Sequence, residues 1–197
     1  MSKNLYIIAG CNGAGKTTAS FTILPGILNC REFVNADEIA RGLSPFQPEK
    51  TAIEAGKIML YRIEYLLEEN STFAFETTLA SKTYKNTVLK AQAKGYNVTL
   101  LFFWLQTVEL AKKRVQERVL DGGHNIDSIT IERRYLQGIR NLFDIYLPIA
   151  NEVFIFNNSE GKYELIAKKI NKMEISILNN DKYNLIRQYY DSTRKGK

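Results

Sequence analysis

Apolar and polar positions along the 197-residue chain switch repeatedly between two periods. Short apolar runs bounded by turn residues predict buried strands: LYIIA at 5–9, REFVNAD at 31–37, STFAFETT at 71–78, NVTLLFFWL at 97–105 and EVFIFNNS at 152–159. The fourth is almost continuously apolar, the pattern of a strand covered on both faces. Between these runs the spacing becomes helical. Lys16 to Thr22 opens a helix before the Pro25-Gly26 break. Pro48 suits the first turn of a long helix whose Ile53, Ile58, Leu60, Ile63 and Leu67 give a wide apolar face. Ser81 is the expected N-cap of a helix ending at Gly95, and Thr107 that of VELAKKRVQERVL, which stops at Asp121-Gly122-Gly123. SITIERRYLQGIRNLF at 128–143 is helical in pattern, and the basic segment GKYELIAKKINKMEISILNN is expected as a surface helix.

Strands alternating with helices predict an α/β three-layer sandwich: a five-stranded, mainly parallel sheet with helices on both faces. The composition, 45% apolar and 24% charged, is that of a chain with one substantial core. Residues 1–160 are expected to form the domain, and residues 161–197 a basic helical tail packed on it or extending from it. No internal repeat, low-complexity stretch or linker interrupts the pattern.

Charge changes the picture less than its total suggests. The net charge of +6 invites a nucleic-acid reading, but residues 161–197 hold nine Lys/Arg against four Asp/Glu, so the body of the protein is nearly neutral. Cys11 and Cys30 are too few for a disulfide framework, no basic-then-apolar leader opens the chain, and no apolar run is long enough for a membrane span. A cytoplasmic protein without a membrane partner is expected.

The first strand runs into GCNGAGKTT, in which Gly10, Gly15, Lys16 and Thr17 match the P-loop pattern G-x-x-x-x-G-K-T between a strand and a helix. Glycines let successive backbone N–H groups curl around phosphate oxygens, and the new helix adds its N-terminal partial charge. Gly10, Asn12, Gly13, Ala14, Gly15, Lys16, Thr17 and Thr18 are therefore the candidate ATP-binding residues. Lys16 is placed to reach the β and γ phosphates and Thr17 to ligate Mg²⁺.

In a doubly wound sheet, ligands gather at the carboxyl ends of the strands. The second strand ends on Asn35-Ala36-Asp37-Glu38 and the third on Glu76-Thr77-Thr78. Asp37 is the candidate base that takes a proton from an acceptor hydroxyl, with capping of the next helix as the structural alternative. Asn35, Glu76 and Thr78 are candidate substrate contacts. Positive charge for the transferring phosphate is expected from Arg118, Arg133 and Arg134, on two helices joined by a Gly-Gly turn that together resemble a lid at about 112–134. Lys112, Lys113 and Arg114 read as a solvated face with Glu109 and Glu117 as partners. His124, the single histidine, is a candidate lid or substrate contact, and Trp104 is expected in the core.

Taken in order, GCNGAGKTT, NADEIARGL, FAFETTLA, GYNVTLLFFWL, RVQERVLDGGHNI, IERRY and FNNS resemble the zeta-toxin-like P-loop kinases over roughly residues 5–159. The resemblance implies a shikimate-kinase-like fold and phosphorylation of a sugar hydroxyl of UDP-N-acetylglucosamine. It implies Lys16 as the P-loop lysine, Asp37 as base, Glu76 and Thr78 as the substrate pair, and Arg118 with Arg133 or Arg134 as phosphate-binding arginines. An antitoxin protein is the partner such a family implies. Two departures stand out: Ala80, with Lys82 nearby, where the toxins carry an arginine, and Asp127 where relatives often have proline. The expected function is an ATP/Mg²⁺-dependent kinase acting on a small-molecule hydroxyl. A polynucleotide-end kinase and an ATP-dependent switch or binding module are the alternatives.

Overall fold

β1, Lys3–Gly10, pairs in parallel with two strands at once, Leu5 opposite Phe73 of β3 (Phe73–Thr77) and opposite Val98 of β4 (Tyr96–Trp104). Its Leu5, Ile7 and Ile8 are buried, as is every residue from Val98 to Trp104, because helices cover both faces of the sheet here. The computed structural model describes residues 3–120, 126–171 and 173–195. Among them the sheet has seven strands in the order β2-β3-β1-β4-β5-β6-β7, with β2 at Glu32–Val34 and β5 at Glu152–Asn157. The five predicted strands form its parallel part.

The two additional strands correct the expectation of five. They lie in the segment expected as a surface helix: β6, Glu164–Lys169, and β7, Ser176–Ile177, continue the sheet antiparallel from β5. Ile166, Ile170, Met173 and Ile177 have helical spacing, which made the segment look like a helix. The exposed edge of β5 decides otherwise: a turn through Gly161, at φ 75°, folds the chain back to pair with it. Ile166 and Ala167 are then buried, while Met173 is 64% exposed.

The helices are α1 (Lys16–Gly26), α2 (Ala36–Leu43), α3 (Ala52–Glu68), α4 (Tyr84–Ala93), α5 (Val108–Leu120), α6 (Ser128–Asn141), α7 (Leu147–Ile149) and α8 (Asn180–Lys195). α1 carries Pro25 in its last turn and ends after it, instead of stopping before the Pro-Gly pair. Pro48 opens a short 3₁₀ turn ahead of α3. The buried face of α3 is Ala55, Met59, Ile63, Leu66 and Leu67, whereas Ile53 is 80% exposed. Ser81 does not cap α4, which starts at Tyr84 behind Thr83. Thr107 does cap α5, its Oγ1 accepting from Leu110 N–H at 3.1 Å. Asp127 caps α6, accepting from Thr130 N–H at 2.8 Å; the Thr130 hydroxyl first, and then this N–H, hold its carboxyl below the usual range. The Asp121-Gly122-Gly123 stop lies outside the described residues.

α6 and α8 pack on each other. Tyr183, Ile186 and Tyr190 form the buried stripe of α8, at helical spacing. The hydroxyl of Tyr190 donates to Asp144 at 2.6 Å, and the ring of Tyr189 meets Tyr135 of α6 edge-on. Basic side chains of this segment are engaged at home: Arg187 lies over the Phe143 and Tyr190 rings, Arg194 over Tyr190, and Lys182 pairs with Glu160 and Glu164. Trp104 is buried as expected and donates Nε1–H to the Tyr135 hydroxyl at 3.0 Å. Both cysteines are free and buried, and burial pushes each thiol up to about 11. No helix among the described residues is long and apolar enough to cross a membrane.

Candidate active site

The glycine loop joins β1 to α1, and its conformation explains its composition. Gly10, Gly13 and Gly15 all have positive φ, at 141°, 79° and 79°. A Cβ on Gly10 would stand 2.0 Å from the Phe103 carbonyl of β4, so only glycine permits that strand contact. Lys16 is buried, its Nζ donating to the Cys11 carbonyl at 3.1 Å and lying 3.5 Å from Glu76 Oε1.

The carboxyl ends of β2 and β3 converge on the same point. Glu76, with an 8% exposed side chain, accepts from the Thr17 hydroxyl at 2.9 Å and from Asn35 Nδ2 at 3.1 Å. Asn35 is the actual N-cap of α2: its Oδ1 accepts from Asp37 N–H at 2.8 Å and Glu38 N–H at 3.4 Å. Asp37 therefore sits in the first turn, and its carboxylate is not needed as the cap.

Two cavities open at this end of the sheet and share Asn12, Lys16, Asp37 and Glu76. One continues along Gly13, Gly15, Thr17 and Thr18 to Arg114 and Arg118 of α5. The other continues between Thr78, Tyr84, Met59 and Arg134 of α6. Tyr84 packs on Phe75, and its hydroxyl touches the Met59 sulfur at 3.5 Å, making the apolar wall of this second cavity. Asp37 is thus common to a cavity along the glycine loop and a second, adjoining one.

The arginines divide in a way the helical pattern did not predict. Arg134 Nη1 donates to Asn12 Oδ1 at 3.3 Å. Burial lowers its tendency to stay charged, with Asp37 opposing that shift and Arg133 adding to it. An anion bound there would compensate the desolvated guanidinium. Arg133, its neighbour, is exposed. Arg114 is not part of a solvated face: its Nη2 donates to the Ser159 carbonyl at 3.0 Å and it lines the phosphate-side cavity. Lys112 and Lys113 do face outward, paired with Glu132 and Glu117. His124 lies outside the described residues.

The segment after β3 is pinned to α6. Leu79 is fully buried with φ 62°, an uncommon conformation for a branched residue. Its N–H bonds the Thr77 hydroxyl at 3.0 Å, and its carbonyl accepts from Asn141 Nδ2 at 2.8 Å. A Cβ on Gly138 would come within 2.7 Å of the Thr78 carbonyl, so glycine allows α6 to lie directly on this loop.

Among the described residues no cluster of three or more His, Cys, Asp or Glu side chains is arranged to hold a metal by itself. The Thr17 hydroxyl with the adjacent Glu76 carboxylate is an all-oxygen pair that fits Mg²⁺ carried in with phosphate oxygens.

No protein-family model matches the chain. An uncharacterized protein of Haemophilus influenzae is 25% identical over 135 residues, 68% of this chain and 94% of that protein. The AvrRxo1-ORF1:AvrRxo1-ORF2 complex with sulphate ions contains a chain matching 94% of this one with a TM-score of 0.75 at 17% identity. The same complex with ATP matches with a TM-score of 0.72 at 16% identity, and the present chain spans 63% of the length of that protein. A chain of the PezAT chromosomal toxin-antitoxin system of Streptococcus pneumoniae matches 97% of this chain over 87% of its own length, with a TM-score of 0.64 at 17% identity. At these identities what is shared is the fold, and the protein has the α/β architecture of these chains.

Proposed function

We propose that the protein is an ATP/Mg²⁺-dependent kinase that moves the γ-phosphate to a hydroxyl of a small molecule. The observation that carries this reading is the pair of cavities meeting at Asp37, one against the glycine loop and one against Thr78, Tyr84 and Arg134. ATP occupies the first, with backbone N–H groups of the loop, Lys16, Arg114 and Arg118 around its phosphates. Thr17, with Glu76 beside it, would hold Mg²⁺, which would supply positive charge toward the β and γ oxygens.

The acceptor hydroxyl lies in the second cavity, oriented by Glu76 and Thr78. Asp37 takes its proton as the oxygen attacks phosphorus in line. The new O–P bond forms while the bond from γ-phosphorus to the β–γ bridging oxygen breaks, and ADP leaves. Arg134, which lines the second cavity, and Lys16, which lines both, stabilise charge on the transferring group. Asn12 fixes Arg134. Approach of α5 and α6 over the nucleotide, as a lid, excludes water.

UDP-N-acetylglucosamine is the first acceptor to test, and an antitoxin protein is the partner to seek, since the matching chains come from the AvrRxo1-ORF1:AvrRxo1-ORF2 complex and the PezAT toxin-antitoxin system. Incubation with labelled ATP and a metabolite extract, followed by mass spectrometry, is expected to reveal a compound that gains one phosphate. UDP-N-acetylglucosamine left unmodified removes that acceptor, and ATP converted to ADP with no phosphorylated product removes the kinase reading.

A further inference from the structure

The glycine loop is held from its outer side by two side chains far away in the chain. Asn158, just beyond β5, donates Nδ2–H to the Ala14 carbonyl at 2.9 Å. Tyr163, just before β6, donates its hydroxyl to the Gly15 carbonyl at 3.0 Å. The Tyr163 ring packs edge-on against Phe103 of β4, with centroids 5.3 Å apart, so the hydroxyl is carried on the sheet itself.

Peptide planarity gives these bonds a direction. In a trans peptide the carbonyl and the following N–H point opposite ways. The Gly15 carbonyl also accepts from Ala19 N–H of α1 at 3.0 Å; holding the Ala14 and Gly15 carbonyls on this side turns the Gly15 and Lys16 N–H groups the other way. That side is where Gly15, Lys16, Thr17 and Thr18 line the phosphate-side cavity. Gly15 leaves no slack: a Cβ there would lie 2.6 Å from Asn158 Nδ2 and 3.3 Å from the Tyr163 hydroxyl.

Asn158 adds a second, independent observation. It is 5% exposed, and its Oδ1 is buried without a hydrogen-bond partner among the described residues. An unpaired buried amide oxygen destabilises a fold, and an apolar side chain of the same shape would not. What the asparagine contributes in return is its bond to the loop.

We propose that Asn158 and Tyr163 are positioning residues of the nucleotide site, which pre-orient the Gly15 and Lys16 N–H groups toward bound phosphate. The proposal rests on reading residues 10–18 as the phosphate-binding loop. It also gives the β5–β6 hairpin a task in nucleotide binding.

The test measures Mg-ATP affinity by calorimetry and thermal midpoint for wild type, Tyr163→Phe, Asn158→Leu and a Lys16→Ala control. Tyr163→Phe keeps the ring on Phe103 and removes one neutral hydrogen bond, so the Kd is expected to rise about fivefold with an unchanged midpoint. Asn158→Leu removes both the bond and the orphan oxygen. Its Kd is expected to rise roughly fivefold to tenfold while the midpoint holds or increases. Wild-type affinity in both variants overturns the proposal, as does an affinity loss that only tracks a falling midpoint. Absence of binding by wild type, indistinguishable from Lys16→Ala, overturns the phosphate-loop reading and the proposal together.

Discussion

The two halves of the candidate site are built differently. The phosphate side is mostly backbone: nine consecutive residues, GCNGAGKTT, with glycines wherever φ is positive or a neighbouring strand comes too close. The acceptor side is made of single side chains from α2, α3, β3, α4 and α6, brought together by packing. A backbone site is spoiled by a misplaced Cβ and depends on only a few side chains, here Lys16 and the α5 arginines. A side-chain site behaves in the opposite way, because each group has its own chemistry and its own support.

The sharpest way to separate the halves is to remove one group from each. Lys16→Ala is expected to abolish both nucleotide binding and transfer. Asp37→Ala should lower kcat by about 10²- to 10⁴-fold, the scale of a general base, while the ATP Kd measured by calorimetry stays near wild type. Wild-type turnover in the Asp37 variant would break the assignment of the base.

A smaller effect distinguishes the arginines. Arg114→Ala, which removes a cation from the phosphate side, is expected to weaken Mg-ATP binding roughly tenfold. Arg133→Ala, on an exposed neighbour of Arg134, should leave both the Kd and kcat unchanged. Steady-state kinetics on the pair would show the reverse if the solvated-face reading of Arg114 were right.

Support of the acceptor side can be loosened without touching a reacting group. Gly138→Ala pushes a methyl toward the Thr78 carbonyl, now 2.7 Å from the Cβ position. A loss of about 1–3 kcal/mol in denaturant unfolding is expected, as for overpacking in general, together with a lower kcat. Nucleotide affinity should change little, since α6 touches the loop only through Arg134 and Asn12 among the hydrogen bonds described.

The smallest effect lies farthest from the chemistry. The Tyr190 hydroxyl, and after it Arg140, holds the Asp144 carboxyl below its ordinary value of 3.8. Because the folded value is the lower one, this contribution is present above that pH and is lost as pH falls through the folded value. Asp144 is largely exposed, so solvent screens most of it. Tyr190→Phe is expected to lower the neutral plateau of a midpoint-versus-pH curve slightly and to converge on wild type at acid pH, so that the acid limb flattens.

The basic tail shows how a charge count misleads without a fold. Lys182, Arg187 and Arg194 are spent on carboxylates and aromatic rings inside the molecule. The net charge of +6 therefore does not translate into an equally large basic patch.

What the sequence determined by itself is local. Strand-length apolar runs set the five parallel strands, and the glycine spacing marked the tight loop between β1 and α1, because both depend on residues adjacent in the chain. Asn35 and Glu76 were legible as polar ends of apolar runs, and Asp37 as their neighbour. Tertiary structure alone decided which guanidinium faces which cavity, that residues 164–177 pair as strands, and that Asn158 and Tyr163 hold the loop. The physical reason is distance along the chain: those two bonds join residues 144 and 148 positions apart. Hydrophobic period reports which face of an element is buried, not which distant polar atom the fold will bring to it.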